Sequence, residues 1–289
     1  MIEAKKVHVI GVPFSDRILV TQPFNGTVAI GEAELESIGG IGNVMRQAVF
    51  SHFSYHIFHV PMMSRTKLSL DVWIKESHPE LDMHFHEMQG VPPSAYVIEA
   101  KGASSRQSVV YGRFDNVVPL SLPVGSILHL CYLENSPCLL GDTKGSLVIG
   151  DFNNAMVCLD AAKHNASLLD ILMLSLDESA AFKSQIGFQL LKEGCFIVAH
   201  EPLKVILQRF ENSRLVEIER IENQYYLPQA SNLTGNGDVF SGHMLAYLHD
   251  SHAVPDARGP ILTAAIRHAQ KETAEWLKER MHGRASCRS

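Results

Sequence analysis

Short apolar runs alternate with amphipathic stretches along most of the chain. Segments of six to eight residues with the composition of strands lie at 7–12, 55–60, 94–100, 108–114, 126–133, 146–152, 169–175, 195–200 and 204–210. Helical patterns lie at 42–52, 155–166, 178–193, 239–249 and 260–280. In one of them, Phe182, Ile186 and Leu190 recur at four-residue spacing and share one helical face. Several strands are continuous apolar runs, so the pattern predicts an α/β fold with a mostly parallel central sheet.

Two stretches interrupt this rhythm, at 13–36 and 94–114, where short alternating strands are joined by turns. From the residues alone, they are typical of two surface hairpins. No internal repeat, low-complexity segment or linker divides the 289 residues. The sequence therefore predicts a single domain over 1–289.

The composition is that of a globular protein. The chain is 46% hydrophobic and 19% charged, and no apolar run is long enough to span a bilayer. The N-terminal MIEAKKVHVIG enters a strand without the pattern of a signal peptide. A net charge of -6 argues against a broad nucleic-acid surface, and five cysteines without a C-x-x-C pair indicate reduced thiols. We therefore expect a cytoplasmic protein without a membrane or nucleic-acid partner.

The segment Asn232–Asp238 reads NLTGNGD and runs directly into the helical pattern VFSGHMLAYLHD. Its two glycines allow a sharp turn and close approach of a ligand to the backbone. The helix that follows offers unpaired N–H groups and the positive end of its dipole. With the carboxylate of Asp238 at the same place, these groups suit phosphoryl transfer. The alternative is a glycine turn in which Asp238 only caps the helix.

This segment resembles the D-T-x-G-A-G-D signature of the ribokinase family, also called the phosphofructokinase-B family of sugar kinases. The matching positions are Thr234, Gly235, Gly237 and Asp238. Asn236 replaces the Ala of the signature, and Asn232 replaces its leading Asp. The resemblance implies a ribokinase-like three-layer sandwich in which the segments 13–36 and 94–114 form a small β lid, and a homodimer built through that lid. It also implies an ATP- and Mg²⁺-dependent kinase that phosphorylates a hydroxyl of a sugar, nucleoside or related small polyol.

The resemblance assigns roles to the residues of the signature. Asp238 would be the general base that takes the proton of the attacking hydroxyl. The backbone N–H groups of Gly235, Asn236 and Gly237 would form the anion hole for the transferring phosphoryl group. Thr234 would border the bound nucleotide.

Two segments of the N-terminal half resemble substrate-binding motifs of the same family. Residues 11–16 match G-x-x-x-x-D, and residues 39–44 resemble G-G-x-x-x-N with a spacing one residue shorter. The resemblance implies that Asp16, Gly40 and Asn43 bind substrate hydroxyls. From the residues alone, Asp16 could instead cap a turn, and Asn43 could cap the helix that follows it.

Two further matches lie in the middle of the chain. Asp151 and Asn153 end a buried strand and resemble the family's D-x-N, which implies substrate binding at the carboxyl edge of the sheet. Ser175 and Glu178 lie where the family has N-x-x-E, with Ser175 in place of the Asn. The resemblance places both on the cofactor side, with Glu178 acting on Mg²⁺ through water. The alternative for Glu178 is an acid favoured by the dipole at a helix N-terminus.

The chain also departs from the family. The segment 199–204 lacks both glycines of the T-x-G-x-x-G turn that borders the nucleotide, and no glycine lies between Gly42 and Gly90. These losses weaken the expectation for ATP binding and leave an alternative function. In that alternative, the chain is a catalytically inactive ribokinase-fold protein that binds a nucleoside or sugar phosphate as a sensor or partner subunit.

The 15 histidines raise a third possibility, a metal-dependent hydrolase. His84 and His86 share one face of a strand, but no further ligand follows at a recognised spacing, and H-E-x-x-H is absent from the sequence. The sequence favours solvated or hydrogen-bonded histidines. It also contains neither the G-x-S-x-G of serine hydrolases nor the P-loop motif.

Overall fold

The computed structural model describes residues 6–21, 31–45, 53–59, 81–100, 106–114, 120–140, 143–153, 159–228, 236–251 and 259–286. The strands are β1 (Val7–Gly11), β2 (Pro13–Thr21), β3 (Gly31–Gly40), β4 (Ser54–His59), β5 (Asp82–Glu87), β6 (Gly90–Ala100), β7 (Arg106–Phe114), β8 (Leu120–Ser121), β9 (Ile127–Leu130), β10 (Leu139–Leu140), β11 (Leu147–Asp151), β12 (Ile171–Ser175), β13 (Phe196–His200), β14 (Lys204–Glu211) and β15 (Arg214–Glu222). The helices are α1 (Ile41–Met45), α2 (Leu159–Ala166), α3 (Leu176–Gln185), α4 (Asn236–Asp250) and α5 (Gly259–Ser286).

Nine strands form a central sheet in the order β15-β14-β13-β12-β11-β9-β1-β4-β5. From β5 to β13 every neighbouring pair is parallel, and only β14 and β15 are joined as antiparallel neighbours. The predicted α/β fold with a mostly parallel central sheet is confirmed. The carboxyl ends of the parallel strands meet at one edge, where open sheets of this kind bind ligands.

Helices cover both faces of the central sheet. On one face, α1, α4 and α5 contribute apolar side chains such as Ile41, Phe240 and Leu262 to a buried cluster. On the other face, α2 and α3 contribute Ala162 and Phe182 to a second cluster. The middle strands are buried on both sides, which explains their continuous apolar sequences. None of the helices in the described ranges is long and apolar enough to cross a membrane.

The two interrupting stretches pair with each other in a second, four-stranded sheet. Its order is β3-β2-β6-β7, and β2 runs parallel to β6 with Ser15 opposite Ser94. Ile18, Ala95 and Val97 form a small apolar cluster of their own on this sheet. The prediction of one additional sheet is therefore confirmed over separate surface hairpins. Residues 22–30 and 101–105 of these stretches lie outside the described ranges.

The prediction of a helix over 178–193 was wrong at both ends. The helix begins earlier, at Leu176, because Ser175 caps it. It ends at Gln185, and Gly187 then adopts a φ of 94°, a conformation that only glycine reaches easily. Leu190, predicted on the helical face, lies in a separate 3₁₀ turn. The helices predicted over 42–52 and 155–166 are described only over 41–45 and 159–166.

Strands β5 and β15 were not predicted, and they are the two edges of the central sheet. Their sequences, DMHFHE and RLVEIERIE, carry charged and imidazole side chains. Edge strands commonly carry such residues, because they are only partly covered and charge discourages pairing with other chains. Strands β5 and β15 thus lack a continuous apolar run because they lie at the edges of the sheet.

The histidines near the β5 edge form a hydrogen-bonded array. His8 Nδ1 lies 3.0 Å from His56 Nε2, and His56 Nδ1 lies 3.2 Å from His86 Nε2. His84 stacks on His56 and lies 3.1 Å from the carboxylate of Asp82. Among the described residues, no three His, Cys, Asp or Glu side chains are grouped so as to hold a metal ion. The arrangement supports the hydrogen-bonded alternative.

Acid is expected to destabilise the fold through this array. Burial, followed by the charges of neighbouring groups that include His84, lowers the pKa of His8 to about 4 and that of His56 to about 3. The neutral imidazoles are thus favoured by folding, so their contribution is complete above an unfolded pKa of about 6.5 and is lost as pH falls towards 3. We expect the melting temperature of wild type to fall between pH 7 and pH 5 more steeply than that of His56→Asn.

The matched control is His268→Asn on α5, whose ring contacts His243 and Tyr247. This control should keep the pH dependence of wild type when both are followed by circular dichroism melting. Parallel curves for wild type and His56→Asn would contradict the assignment.

Candidate functional site

Asp238 is the third residue of α4, and its buried carboxylate is held by two hydrogen bonds. Asn43 Nδ2 donates to Oδ2 at 2.6 Å, and the Tyr132 hydroxyl donates to Oδ1 at 2.7 Å. Asn43 and Asp238 are 195 residues apart in the sequence, and the structure brings these two predicted site residues into direct contact. Tyr132 was not among the predicted residues.

The N-terminus of α4 lies beside this carboxylate. Asn236 and Gly237 are its first two residues, so their N–H groups have no carbonyl partner within the helix. A Cβ added at Gly237 would lie 3.7 Å from His200 Cε1, an ordinary contact distance. Thr234 and Gly235, the other predicted members, lie outside the described residues.

Asp16 and the glycine pair at the end of β3 are packed together. A side chain at Gly39 would overlap the carboxylate of Asp16, which is 6% exposed. Gly40 has a φ of 60°, and a Cβ there would lie 2.5 Å from the carbonyl oxygen of Val12. Both positions therefore require glycine for the fold itself. Substrate binding by Asp16 and Gly40 stays a prediction.

Tyr132 lies between the predicted carboxylates. Burial raises the pKa of its phenol well above the usual value, and the negative charges of Asp238, Asp16 and Asp151 raise it further. The ring packs edge-on against Phe14 of β2, with centroids 5.8 Å apart. The phenol is consequently protonated at neutral pH and acts as a hydrogen-bond donor to Asp238.

Asp151 anchors α4 to the central sheet. Its Oδ2 lies 3.1 Å from Nε2 of His129, and its Oδ1 accepts from the Ser241 hydroxyl at 3.1 Å. His129 is fully buried, and its Nδ1 lies 3.5 Å from Cys131 Sγ. Burial and the charges of Asp151 and Asp238 raise the pKa of the Cys131 thiol, so the thiol can donate to Nδ1 while Nε2–H donates to Asp151. In this structure both oxygens of Asp151 are bound by protein groups, and substrate binding by Asp151 stays a prediction.

Asn153 and Glu134 join the ends of two neighbouring strands. The backbone N–H of Asn153 donates to Glu134 Oε1 at 3.1 Å, and Glu134 is fully buried. This contact fixes the loop that follows β9, which also contains Tyr132. Substrate binding by the Asn153 side chain stays a prediction.

Ser175 and Glu178 form a capping box at the start of α3. The N–H of Ser175 donates to Glu178 Oε2 at 2.6 Å, and the N–H of Glu178 donates to Ser175 Oγ at 3.2 Å. Both side chains therefore satisfy backbone groups that a helix terminus leaves unpaired. The alternative of a helix-terminal acid is what the structure displays, and the action of Glu178 on Mg²⁺ through water stays a prediction.

His200 ends β13 at the same edge of the sheet. It lies opposite Ser175 in the parallel pairing of β12 and β13, and its ring centroid is 5.5 Å from that of Phe240 on α4. Burial lowers the pKa of its imidazole, so the ring is neutral near pH 7. A neutral imidazole can place an N–H donor beside the open backbone at Gly237.

The sequence carried a signal for only some of these unpredicted residues. Glu134 directly follows the strand predicted over 126–133, and the carboxyl ends of parallel strands are where ligands bind. Tyr132 lay inside that predicted strand, whereas the observed strand β9 ends at Leu130 and leaves Tyr132 in the loop after it. His129 and Ser241 lie inside a buried strand and a buried helix face, where nothing in the local pattern distinguishes them from core residues.

Solved structures of kinases share this fold. Ribokinase from Giardia lamblia superposes with a TM-score of 0.63 at 12% identity, covering 93% of this chain and 92% of that chain. Fructokinase from Vibrio cholerae, bound to fructose, ADP and calcium ion, superposes with a TM-score of 0.57 at 14% identity, covering 94% and 92%. A nucleoside kinase from Methanocaldococcus jannaschii, an archaeal member of the ribokinase family, superposes with a TM-score of 0.53 at 12% identity, covering 96% and 99%.

The chain therefore has the ribokinase-like fold, and the predicted resemblance is confirmed at the level of the fold. The sequence matches no protein-family model and no curated protein.

Proposed function

We propose that the chain is a ribokinase-family phosphotransferase that transfers the terminal phosphoryl group of ATP to a hydroxyl of a sugar, nucleoside or related small polyol. One observation carries the proposal. The buried carboxylate of Asp238, at the N-terminus of α4, is oriented by Asn43 and lies in the same first turn as the backbone N–H groups of Asn236 and Gly237. A base and an anion site are thus adjacent, as phosphoryl transfer requires. The shared fold of sugar and nucleoside kinases supports it.

The residues at this edge fit a nucleoside triphosphate with Mg²⁺. The N–H groups of Asn236 and Gly237 and the dipole of α4 would hold the phosphates, with His200 at their side. Mg²⁺ neutralises charge on the phosphates and keeps several of its waters, so it needs few direct protein ligands. Glu178 would act on the ion through water.

The protein's own residues would do the following. Asp16, Gly40 and Asn43 hold the acceptor, and Asp238 receives the proton of the attacking hydroxyl. The neighbouring four-stranded sheet excludes water, because a water molecule at the same place would lead to hydrolysis of ATP. The anion site stabilises charge on the transferring group as the hydroxyl approaches.

The test is a thermal-shift screen of sugars and nucleosides with and without Mg-ATP, followed by a transfer assay on each binder with radiolabelled ATP. A ligand that binds the native state raises its melting temperature by mass action. We expect at least one polyol to do so and to become phosphorylated. If the compounds that bind are never phosphorylated, the proposed kinase activity is wrong.

The second candidate is the non-catalytic sensor or partner subunit. It is favoured by the connection between β13 and β14, where Pro202 and Leu203 lie in a glycine-free turn closed by a 2.8 Å bond from Glu201 N–H to the Lys204 carbonyl. Stabilisation by a nucleoside or sugar phosphate without any turnover would support this candidate.

Gly237→Ala is expected to weaken the binding of the phosphate donor while leaving the stability of the fold unchanged. Among the described residues, the new Cβ would meet His200 at an ordinary contact distance of 3.7 Å, and Ala is the better helix former. We expect an unchanged or slightly raised melting temperature, together with roughly tenfold weaker Mg-ATP binding because the methyl group occupies the space beside the N–H donors. Calorimetry measures the affinity.

The matched control is Gly259→Ala, at the start of α5, where an added Cβ meets nothing within 4 Å. This variant should leave Mg-ATP affinity unchanged. Equal affinity in Gly237→Ala and wild type would remove the N-terminus of α4 from the donor site.

A further inference from the structure

Tyr132 places a hydroxyl where the acceptor of the proposed reaction would need one. Its oxygen lies 2.7 Å from Oδ1 of Asp238 and donates its proton to that carboxylate. An acceptor hydroxyl must make the same contact, since its proton passes to Asp238 when the phosphoryl group is transferred. The other oxygen of Asp238 is bound by Asn43. Tyr132 thus occupies an acceptor position on Asp238 of the kind that an acceptor hydroxyl would use.

The backbone around Tyr132 is fixed on both sides. Cys131 N–H donates to the Ile10 carbonyl, and Leu133 N–H donates to the Asp151 carbonyl, both at 2.8 Å. These bonds attach the segment to the neighbouring strands β1 and β11. Between them, Tyr132 adopts a φ of 61°, which residues with a side chain rarely adopt. Such conformations persist only where the surrounding structure imposes them, and they cluster at ligand-binding sites.

The side chain of Tyr132 packs against Phe14 and the second apolar cluster, and its bond to Asp238 is separate from the backbone bonds. The ring meets Phe14 edge-on at 5.8 Å, and Phe14 belongs to β2 of the four-stranded sheet. Rotation about the side-chain bonds would withdraw the hydroxyl from Asp238 without breaking the flanking backbone bonds. The hydroxyl can therefore leave when another hydroxyl takes its place.

We infer that Tyr132 is a positioning residue that keeps water away from Asp238 until an acceptor hydroxyl displaces it. This inference rests on the proposed function. Any base that activates a sugar hydroxyl will also activate water, so an unprotected Asp238 would let ATP be hydrolysed: the water oxygen would bond to the terminal phosphorus, the bond to ADP would break, and the proton would pass to Asp238. The phenol hinders that attack by bonding to Oδ1 of Asp238. When the polyol binds, its hydroxyl replaces the hydroxyl of Tyr132 at this carboxylate.

The test compares ATP hydrolysis without any acceptor in wild type and Tyr132→Phe. Phe keeps the ring against Phe14 and removes only the hydroxyl. We expect hydrolysis to rise roughly tenfold or more in Tyr132→Phe, because the bond removed is one to a charged group. The matched control is Tyr225→Phe, at an exposed tyrosine, which should hydrolyse ATP like wild type.

The double variant Tyr132→Phe with Asp238→Asn distinguishes blocking from general loosening of the site. Without the base, the added water cannot be activated, so the rise in hydrolysis should disappear. A rise that persists in the double variant would overturn the inference, as would an unchanged or lower rate in Tyr132→Phe although Mg-ATP binds. A phosphoryl group found on Tyr132 by mass spectrometry after incubation of wild type with Mg-ATP would also overturn it, since Tyr132 would then be the acceptor itself.

A spectroscopic measurement tests the contact without ATP. In an alkaline ultraviolet titration, wild type should show one phenolate transition that Tyr132→Phe lacks, at a pH above the usual range of tyrosine. In Asp238→Asn that ionisation should move to lower pH, because the negative charge and its hydrogen bond are gone. If the phenolate transition lies at the same pH in wild type and Asp238→Asn, the contact between Tyr132 and Asp238 is wrong. Failure of wild type and Tyr132→Phe alike to bind Mg-ATP, with the titration as expected, would instead overturn the proposed function and the blocking role with it.

Discussion

Replacing Asp238 by Asn is expected to lower phosphoryl transfer by roughly 10²–10⁴-fold, the usual contribution of a general base. An amide cannot take up the proton of the attacking hydroxyl, although it fills the same space. The anion site at Asn236 and Gly237 is unchanged by the substitution. Residual transfer from positioning and electrostatics should therefore remain.

The same substitution should leave the fold nearly intact. The new amide oxygen can accept from Tyr132, and Asn43 can rotate its own amide so that its oxygen faces the new N–H. We expect the free energy of unfolding to change by less than about 1.5 kcal/mol. Loss of phosphoryl transfer with retained stability would show that Asp238 acts in the transfer step and is not needed for folding.

Steady-state transfer to a polyol found by thermal shift, combined with urea unfolding, checks both expectations. Asp160→Asn, at an exposed carboxylate in the first turn of α2, serves as the control and should transfer at the wild-type rate. A wild-type rate in Asp238→Asn would exclude this residue as the base.

Asp151→Ala is expected to cost about 2–5 kcal/mol of stability. It removes the acceptor of two buried donors, the Nε2–H of His129 and the hydroxyl of Ser241, and an unsatisfied buried group costs about 1–3 kcal/mol. Ser241 can partly recover by bonding to a carbonyl of its own helix, whereas His129 is fully enclosed. The loss should therefore come mainly from the imidazole.

Urea unfolding measures this loss. Asp250→Ala removes an exposed carboxylate at the other end of α4, and we expect it to change stability by less than about 0.5 kcal/mol. A loss below about 1 kcal/mol in Asp151→Ala would contradict the anchoring role of this carboxylate. Because Ser241 lies one turn beyond Asp238, we also expect the variant to transfer phosphate more slowly.

The local pattern was sufficient for the middle of the fold and insufficient at its edges. Strands such as β11 and β12 are buried on both faces, so their sequences are continuous apolar runs that a window of a few residues reveals. Strands β5 and β15 are edges and carry the polar residues that edges need. The early end of α3 depends on Gly187, a single residue that interrupts an otherwise helical pattern.

The site was predictable where a motif is contiguous in the sequence. The signature that ends at Asp238 and the Asn after the paired glycines were both recognised, and the structure joins Asp238 to Asn43. The hydrogen bonds of Tyr132 and His129 depend on which strands become neighbours, and no short segment contains that information. Their recognition required the three-dimensional arrangement.

The order of folding follows from how the strands of the central sheet are connected. Strand β1 pairs with β9, more than a hundred positions later in the chain, and the bond between Asn43 and Asp238 closes 195 positions. Contacts between such distant segments must bring their ends together before any favourable interaction is gained, which slows their formation. During refolding from urea, helical circular dichroism should therefore recover first, and binding of Mg-ATP should return only in the slowest phase. A nascent chain leaving the ribosome would likewise remain incompetent until α4 has been synthesised and docked.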